Sequence, residues 1–389
     1  MRKFALLALC ALAALPAMLA AAATTESTAV LNGAAYLRTQ QKPDGSYSGA
    51  LGQTMDAVFA IRAAGYDPAK ETVDGKSPAD YLKAQLATEA RVPVLAKAAL
   101  AARALGLDPR ATGGVDLIAK VNAAYDSATG AYAGDDFSQS IVMIGLACTG
   151  NTVPAGAAAA LVKNQIADSG GWGFGGFADP DTTAIAVQAL LAAGTAKTDA
   201  SITKAVAFFH ATQGNDGGWG FDPSASNASS TAYVIQALIA LGENPSAAGW
   251  QKDGGSPIAY LLSQQEADGS FKGFDPVVGT NQALPPLAGR TFCNAADTPI
   301  TLTRPTPTAT PSPTVATPTA TVPTATATPP TTAPSATAAP ATPSVAPRPP
   351  ATGNTAVSAE SSDPLLLAGG AILVLALVGA ATWGAARHS

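Results

Sequence analysis

Charge is scarce in this chain. Of 389 residues only 22 are Lys or Arg and 27 are Asp or Glu, and the net charge is −5. No basic cluster occurs in the globular stretch, so the electrostatic footprint of a nucleic-acid binder is missing and nucleic acid is not an expected partner. Histidine occurs only twice, as His210 and His388. A zinc site built on His and Cys is therefore not expected, and no metal or other cofactor is. There is no Gly-x-Ser-x-Gly elbow, and "GGWGFGGF" lacks the Lys of a phosphate-cradling loop. Aromatic residues make up 6% of the chain, which is thin for a large aromatic-lined pocket.

The composition is uneven, and only residues 24–299 read as globular. Residues 1–23 begin with Arg2 and Lys3, continue through an apolar run and end in small residues, the pattern of a secretory signal peptide. Residues 300–363 are dominated by Thr, Pro, Ala, Ser and Val, with hardly a charge or a large apolar side chain. Such a segment buries no core and reads as a stalk, about 3.1 Å long per residue if it takes up polyproline II. Residues 364–386 contain an uncharged run from Leu365 to Trp383, long enough for a membrane-spanning helix, and residues 387–389 form a short tail carrying Arg387. The expected placement is export to the cell surface, anchored in the membrane by the C-terminal helix. Just upstream, "RPPATGN" resembles a sortase sorting signal, with Pro349 standing where the pattern has Leu. That resemblance implies cell-wall attachment through Thr352, so wall and membrane remain two open anchors.

Export also bears on cysteine. Removal of the signal takes away Cys10 and leaves Cys148 and Cys293. In an oxidising compartment they form a disulfide tying the last segment to the body, or else they stay unpaired with Cys148 as a small core residue.

Within residues 24–299 one pattern recurs: "QKPDGSY" from Gln41, "QIADSGGW" from Gln165, "QGNDGGW" from Gln213 and "QEADGSF" from Gln265. Weaker traces near Gln85 and at Tyr125–Tyr132 complete starts near 41, 85, 126, 165, 213 and 265, a period of about 45 residues. In each unit a helix with an aromatic-apolar pair precedes the turn, and a second, more apolar helix follows it and stops at a Gly such as Gly65, Gly106 or Gly242. The second helices are apolar on most faces and are expected to form a closed inner layer, with the first helices outside. The predicted fold is all-α: an α6/α6 toroid of six helix-pair repeats, followed by the stalk and one transmembrane helix.

The Gln-x-x-x-Gly-x-Trp turn, matched in full by Gln213, Gly217 and Trp219, resembles the QW motif of the prenyltransferase and squalene-cyclase-like α/α toroids. The resemblance implies a structural role for the motif, Gln and ring tying one helix pair to the next. Squalene-hopene cyclases carry Asp-x-Asp-Asp-Thr-Ala at the start of an inner helix. Asp179-Pro180-Asp181-Thr182-Thr183-Ala184 matches it at five of its six places. Carried over, Asp181 would be the acid that protonates an alkene and Asp179 its neighbour. The residues also admit a simpler reading, because the next unit has "SNASSTA" at this place: the carboxylate is an N-cap and Thr-Ala a repeat feature. The Gly-Cys-Gly-Glu-Gln sequence of thioester toroids is absent.

If the inner helices run parallel, their N-termini gather at one mouth. That would bring together Asp56, Gln139, Gln282, Asp179 and Asp181 beside the rings of Trp172, Phe174, Trp219 and Phe221, a polar-rimmed concave end suited to an extracellular ligand. The expected function is a surface-displayed recognition module, with an isoprenoid cyclase using Asp181 as the alternative.

Overall fold

The computed structural model describes residues 26–303 apart from 133, 223 and 274. The signal peptide, nearly all of the stalk, Thr352 and the apolar run from Leu365 lie outside the described residues. Among those described, no helix is long and apolar enough to cross a membrane.

Six helices alternate with six others along the chain. The first set is α1 (26–39), α3 (Pro78–Leu86), α5 (Leu117–Ala123), α7 (Ala155–Lys163), α9 (Ala200–Thr212) and α11 (Pro257–Ser263). The second is α2 (Leu51–Ala63), α4 (Val92–Ala104), α6 (Asp136–Ala147), α8 (Pro180–Ala192), α10 (Ala228–Leu241) and α12 (Pro276–Leu287). Each helix of the second set packs on the next, and α12 packs back on α2, so these six close a ring. Most of their residues are buried, whereas the first set bury only one stripe. The expected inner and outer layers are therefore present.

Four of the six inner helices, α6, α8, α10 and α12, start alike. Asp135, Asp179, Asn227 and Asp275 each accept a hydrogen bond from a free amide of the first turn, satisfying a donor the helix cannot pair itself. Pro180 and Pro276 occupy the first helical position, where no backbone N–H is needed.

The turn between outer and inner helix is a clasp with two parts. One ties the turn to its own inner helix: the N–H of Tyr47, Trp172, Trp219 and Phe271 donates to the hydroxyl of Thr54, Thr183, Thr231 and Thr280 at 2.9–3.0 Å. The other reaches the following unit. The side-chain amides of Gln41, Gln165 and Gln213 donate to the carbonyls of Glu71, Ser201 and Trp250. That of Gln265 donates to the carbonyl of Ala29 in α1, which closes the ring. Gln213 also holds the carbonyl of Gly217, as the Gln-Gly spacing implies. In the third unit Gln139 does both jobs, accepting from the N–H of Tyr132 at 2.8 Å and donating to the carbonyls of Gly130 and Ala157. The second unit has no aromatic clasp near Gln85, which is exposed.

Replacing Thr231 by Val keeps the shape and strands the buried N–H of Trp219. Urea unfolding should report a loss of about 1–3 kcal/mol, the cost of one buried donor left unpaired.

A short helix, α13 (Phe292–Ala295), follows the last inner helix and packs on α2 and α6. Cys293 is bonded to Cys148 at the end of α6, with 5.0 Å between their Cα atoms. Arg103, in the last turn of α4, pairs with Asp297 at 2.7 Å and also donates to the carbonyl of Cys148. The N–H groups of Thr301 and Leu302 donate to the carbonyl of Gly65, just past α2. The C-terminal segment thus crosses the end of the ring where the inner helices finish, and the cysteines pair.

Candidate functional site

The ring has two ends of different character. At the end where the inner helices begin, the chain enters α8 through a two-stranded hairpin, β1 (Gly173–Phe174) and β2 (Phe177–Ala178), in which Phe174 faces Phe177 across the ladder. Gly175 and Gly176 form its turn with φ of +61° and +84°, a conformation that tight hairpins need and side chains resist. Phe174 and Phe177 are both open to solvent, 61% and 73% exposed, and Phe221 in the next unit is 48% exposed. Phe174 and Phe221 were expected at this rim. Phe177 was not, although its place on the far side of a Gly-Gly pair is the signal that could have found it.

Trp172 and Trp219 are not rim residues. Both are fully buried, and their indole N–H groups donate to the carbonyls of Leu161 and Phe209 at 2.7 and 2.9 Å. They seal the joint between outer and inner helix and present no face to a ligand. Gln139 is likewise buried, with both ends of its amide taken up by the clasp.

Asp179 and Asp181 lie within one turn of each other and do different things. Asp179 is the N-cap of α8, its Oδ1 accepting from the N–H of Thr182 at 2.7 Å. Burial pushes its acidity weaker than usual while that hydrogen bond opposes the change. Thr183, the next conspicuous residue of the "DPDTTA" stretch, is the hydroxyl that holds Trp172. The simpler reading therefore covers Asp179 and Thr183. It leaves Asp181, whose counterpart in the next unit is Ser229. Its Oδ1 is sealed from solvent and makes no hydrogen bond. Burial first, and then the charge of Asp179, push its pKa up to about 7, against a hydrogen bond with Ser230.

Deeper in the ring, Asp56 and Gln282 sit more than a turn below the first residues of α2 and α12, not at the rim. Asp56 is salt-bridged to Lys97 of α4 at 2.6 Å, with both side chains largely buried. Gln282 donates to the hydroxyl of Tyr233 at 3.3 Å. Tyr233 lies within the electrostatic reach of both Asp56 and Asp181, and burial raises its phenol well above the ordinary range. A chain of rings runs through the middle: Phe137 meets Tyr233 edge-on at 6.1 Å, Tyr233 stacks on Phe292 at 6.1 Å, and Phe292 meets Phe59 edge-on at 6.1 Å. Phe292 comes from α13, so the C-terminal segment contributes the ring that fills the lumen from below. Between them remains a hollow of only about 10 Å³, lined by Asp56, Phe59, Gln236, Asn281, Gln282, Pro285, Phe292 and Ala295. Among the described residues no group of three or more His, Cys, Asp and Glu is placed to hold a metal.

Comparison with known proteins agrees with this architecture. Residues 120–280 match the family described as squalene-hopene cyclase C-terminal domain. No curated protein sequence matches the chain. Among solved structures, the type II terpene cyclase MstE from Scytonema, without ligand, is similar with a TM-score of 0.52 at 15% identity. The alignment covers 68% of this chain and 98% of that one. A variant of the same cyclase in complex with geranylgeranyl dihydroxybenzoate, described as its substrate, aligns with a TM-score of 0.51 at 15% identity over 72% and 99% of the two chains. A third form, bound to merosterolic acid A, described as its product, aligns with a TM-score of 0.51 at 14% identity over 70% and 98%. The described body has the α/α-toroid fold of these cyclases.

Proposed function

We propose that this toroid is a ligand-binding module displayed outside the cell, and that its ligand meets the end of the ring where the inner helices begin. The observation that carries this reading is the filled lumen. Phe292, fixed by the Cys148–Cys293 bond, occupies the middle of the ring. The space left, about 10 Å³, is far below the roughly 300–1,000 Å³ of sites that enclose drug-sized ligands. A folded C20 or C30 isoprenoid does not fit there. Phe174, Phe177 and Phe221, by contrast, are exposed, the first two a few residues before Asp179 and Asp181 at the start of α8. An apolar face beside hydrogen-bonding groups is the make-up of a recognition surface. Cell-surface placement is supported by the disulfide, which suits an oxidising compartment, and by the charged-then-apolar start and the apolar run near the C-terminus. Attachment is through the C-terminal helix or, at Thr352, the wall.

The experiment is incubation of the full-length protein with squalene and with geranylgeranyl diphosphate, followed by mass spectrometry of the extracted lipids. No cyclised product is expected from either. Product formed by the wild type and lost in Asp181→Asn would overturn the reading.

One observation favours cyclase chemistry as the second reading. A carboxyl group with one oxygen sealed from solvent and unbonded, and with its pKa pushed up to about 7, is suited to act as an acid at neutral pH. In that reading Asp181 donates the proton, Asp179 holds it in place by repulsion of its charge, and Phe292 must leave the lumen before substrate enters.

A further inference from the structure

The segment after the last inner helix reaches into the ring. Phe292 stacks on Tyr233 of α10 and meets Phe59 of α2 edge-on, each at 6.1 Å. Its N–H donates to Oε1 of Gln188 in α8 at 3.5 Å. Round the ring the order is α2, α4, α6, α8, α10, α12, so α8 stands opposite α2. A residue that touches α2, α8 and α10 together lies in the middle of the lumen. Phe292 is 9% exposed there, and the two rings it covers, Phe59 and Tyr233, are 2% and 6% exposed.

Little besides one covalent bond keeps Phe292 in that place. The helix α13 has four residues, too few to be stable as a helix by itself. Its capping box, Thr291 with Asn294, bonds the segment to itself and not to the ring. The pair of Asp297 with Arg103 lies at the surface, its side chains 49% and 40% exposed, and contributes little. Ile300 is exposed. Beyond it the chain is fixed again, by the N–H groups of Thr301 and Leu302 on the carbonyl of Gly65. Residues 291–300 thus form a strap attached at both ends, and Cys293, next to Phe292, bonds it to Cys148. Cys148 is buried and Cys293 partly exposed, so the Cys293 sulfur is the one open to a thiol. Ring closure does not use the strap: α12 packs directly on α2, and Gln265 reaches Ala29.

We propose that this strap is a redox-latched plug. While Cys148 and Cys293 are bonded, Phe292 shuts the lumen; reduction by a dithiol lets residues 291–300 swing out and uncovers the rings of Phe59 and Tyr233. In that step a thiolate of the dithiol attacks Sγ of Cys293, the Cys148–Cys293 bond breaks, and a mixed disulfide forms. The second thiol of the dithiol displaces Cys293 and closes a disulfide of its own. The dithiol loses two electrons and two protons, and both cysteines end as thiols. The latch is independent of what the exposed rings at the other end bind.

Hydrogen exchange followed by mass spectrometry, on the full-length protein before and after dithiothreitol, reads strap and ring separately. Amides of residues 291–298 should exchange about tenfold faster after reduction, while those of α2, α8 and α10 keep their rates. The double variant Cys148→Ser, Cys293→Ser cannot form the bond and tests access to the lumen. Tetranitromethane should nitrate Tyr233 in it about fivefold faster than in the oxidised wild type, since nitration follows exposure of the ring. Tyr47, fully buried in a clasp, is the internal reference and should stay unreactive. Strap amides as protected after reduction as before would overturn the proposal, because Phe292 would then be held by packing alone. So would faster exchange in strap and inner helices alike, or nitration of Tyr47 alongside Tyr233, either of which makes the bond a brace of the whole fold. A Tyr233 equally shielded in the double variant would overturn it as well.

Discussion

Asp181→Asn is expected to raise the stability of the protein by about 4 kcal/mol at pH 8 and by only a few tenths at pH 4. In the unfolded chain this carboxyl ionises near its ordinary value, whereas in the fold its pKa stands at about 7. Between those values the folded state holds a proton that the unfolded state has lost. Stability therefore falls as pH rises through that window and is lowest above pH 7. A gap of about three units corresponds to about 4 kcal/mol. Asn retains a polar group beside Ser230 and carries no charge to desolvate, so the variant is freed of the penalty. Denaturant unfolding of both proteins across this pH range measures the difference directly, and a gap that does not change with pH would show that Asp181 is solvated in the fold. The result also bears on function. A destabilised ionised group is a cost natural sequences retain at sites that use it.

Trp219→Ala should cost about 3–5 kcal/mol in urea unfolding, the usual range for emptying a buried aromatic site. Trp219 is fully buried. It meets Phe209 edge-on at 6.5 Å and Trp250 at 6.0 Å, and it donates its indole N–H to the carbonyl of Phe209. Truncation removes the packing and leaves that carbonyl and a cavity behind. Phe221→Ala, two residues along the same turn, should stay within about 0.5 kcal/mol because that ring is surface-exposed. A loss of similar size in both would mean that the exposed rings are part of the fold's support and are not held ready for a ligand. The contrast separates the two aromatics of one motif by role, which their spacing in the sequence cannot do.

The resemblance to a catalytic signature dissolves unevenly for the same reason. Asp179 and Thr183 have counterparts in Asn227 and Thr231 of the next unit, which make the same cap and the same clasp. Comparison of the two stretches in the sequence already pointed there. Asp181 has no such counterpart, and only its burial and its unbonded oxygen mark it. The third unit shows how a repeat can hide. Gln139 replaces both the Thr and the Gln of the clasp, so its polar amide at a helix start reads as a rim residue until its partners are seen.

What the sequence determined by itself was the repeated architecture. Helix periodicity, caps and the Gln-Gly-aromatic turn are local patterns, each satisfied within one unit or between one unit and the next. Six copies of such a unit leave an apolar face that only ring closure buries. What only the tertiary structure decided was the interior of the ring. Asp56 and Lys97 lie on adjacent inner helices, Asn281 and Gln282 on another, and Phe292 arrives from beyond the last repeat, held by a bond between residues 145 positions apart. Asp56 and Gln282 share a place in the repeat, two residues after the clasp threonines Thr54 and Thr280, but the residue type there changes from unit to unit and Phe292 lies outside the repeat altogether. They meet because the helices close into a ring and the chain's last helix is drawn across its end, and the chemistry of the lumen exists only once both have happened.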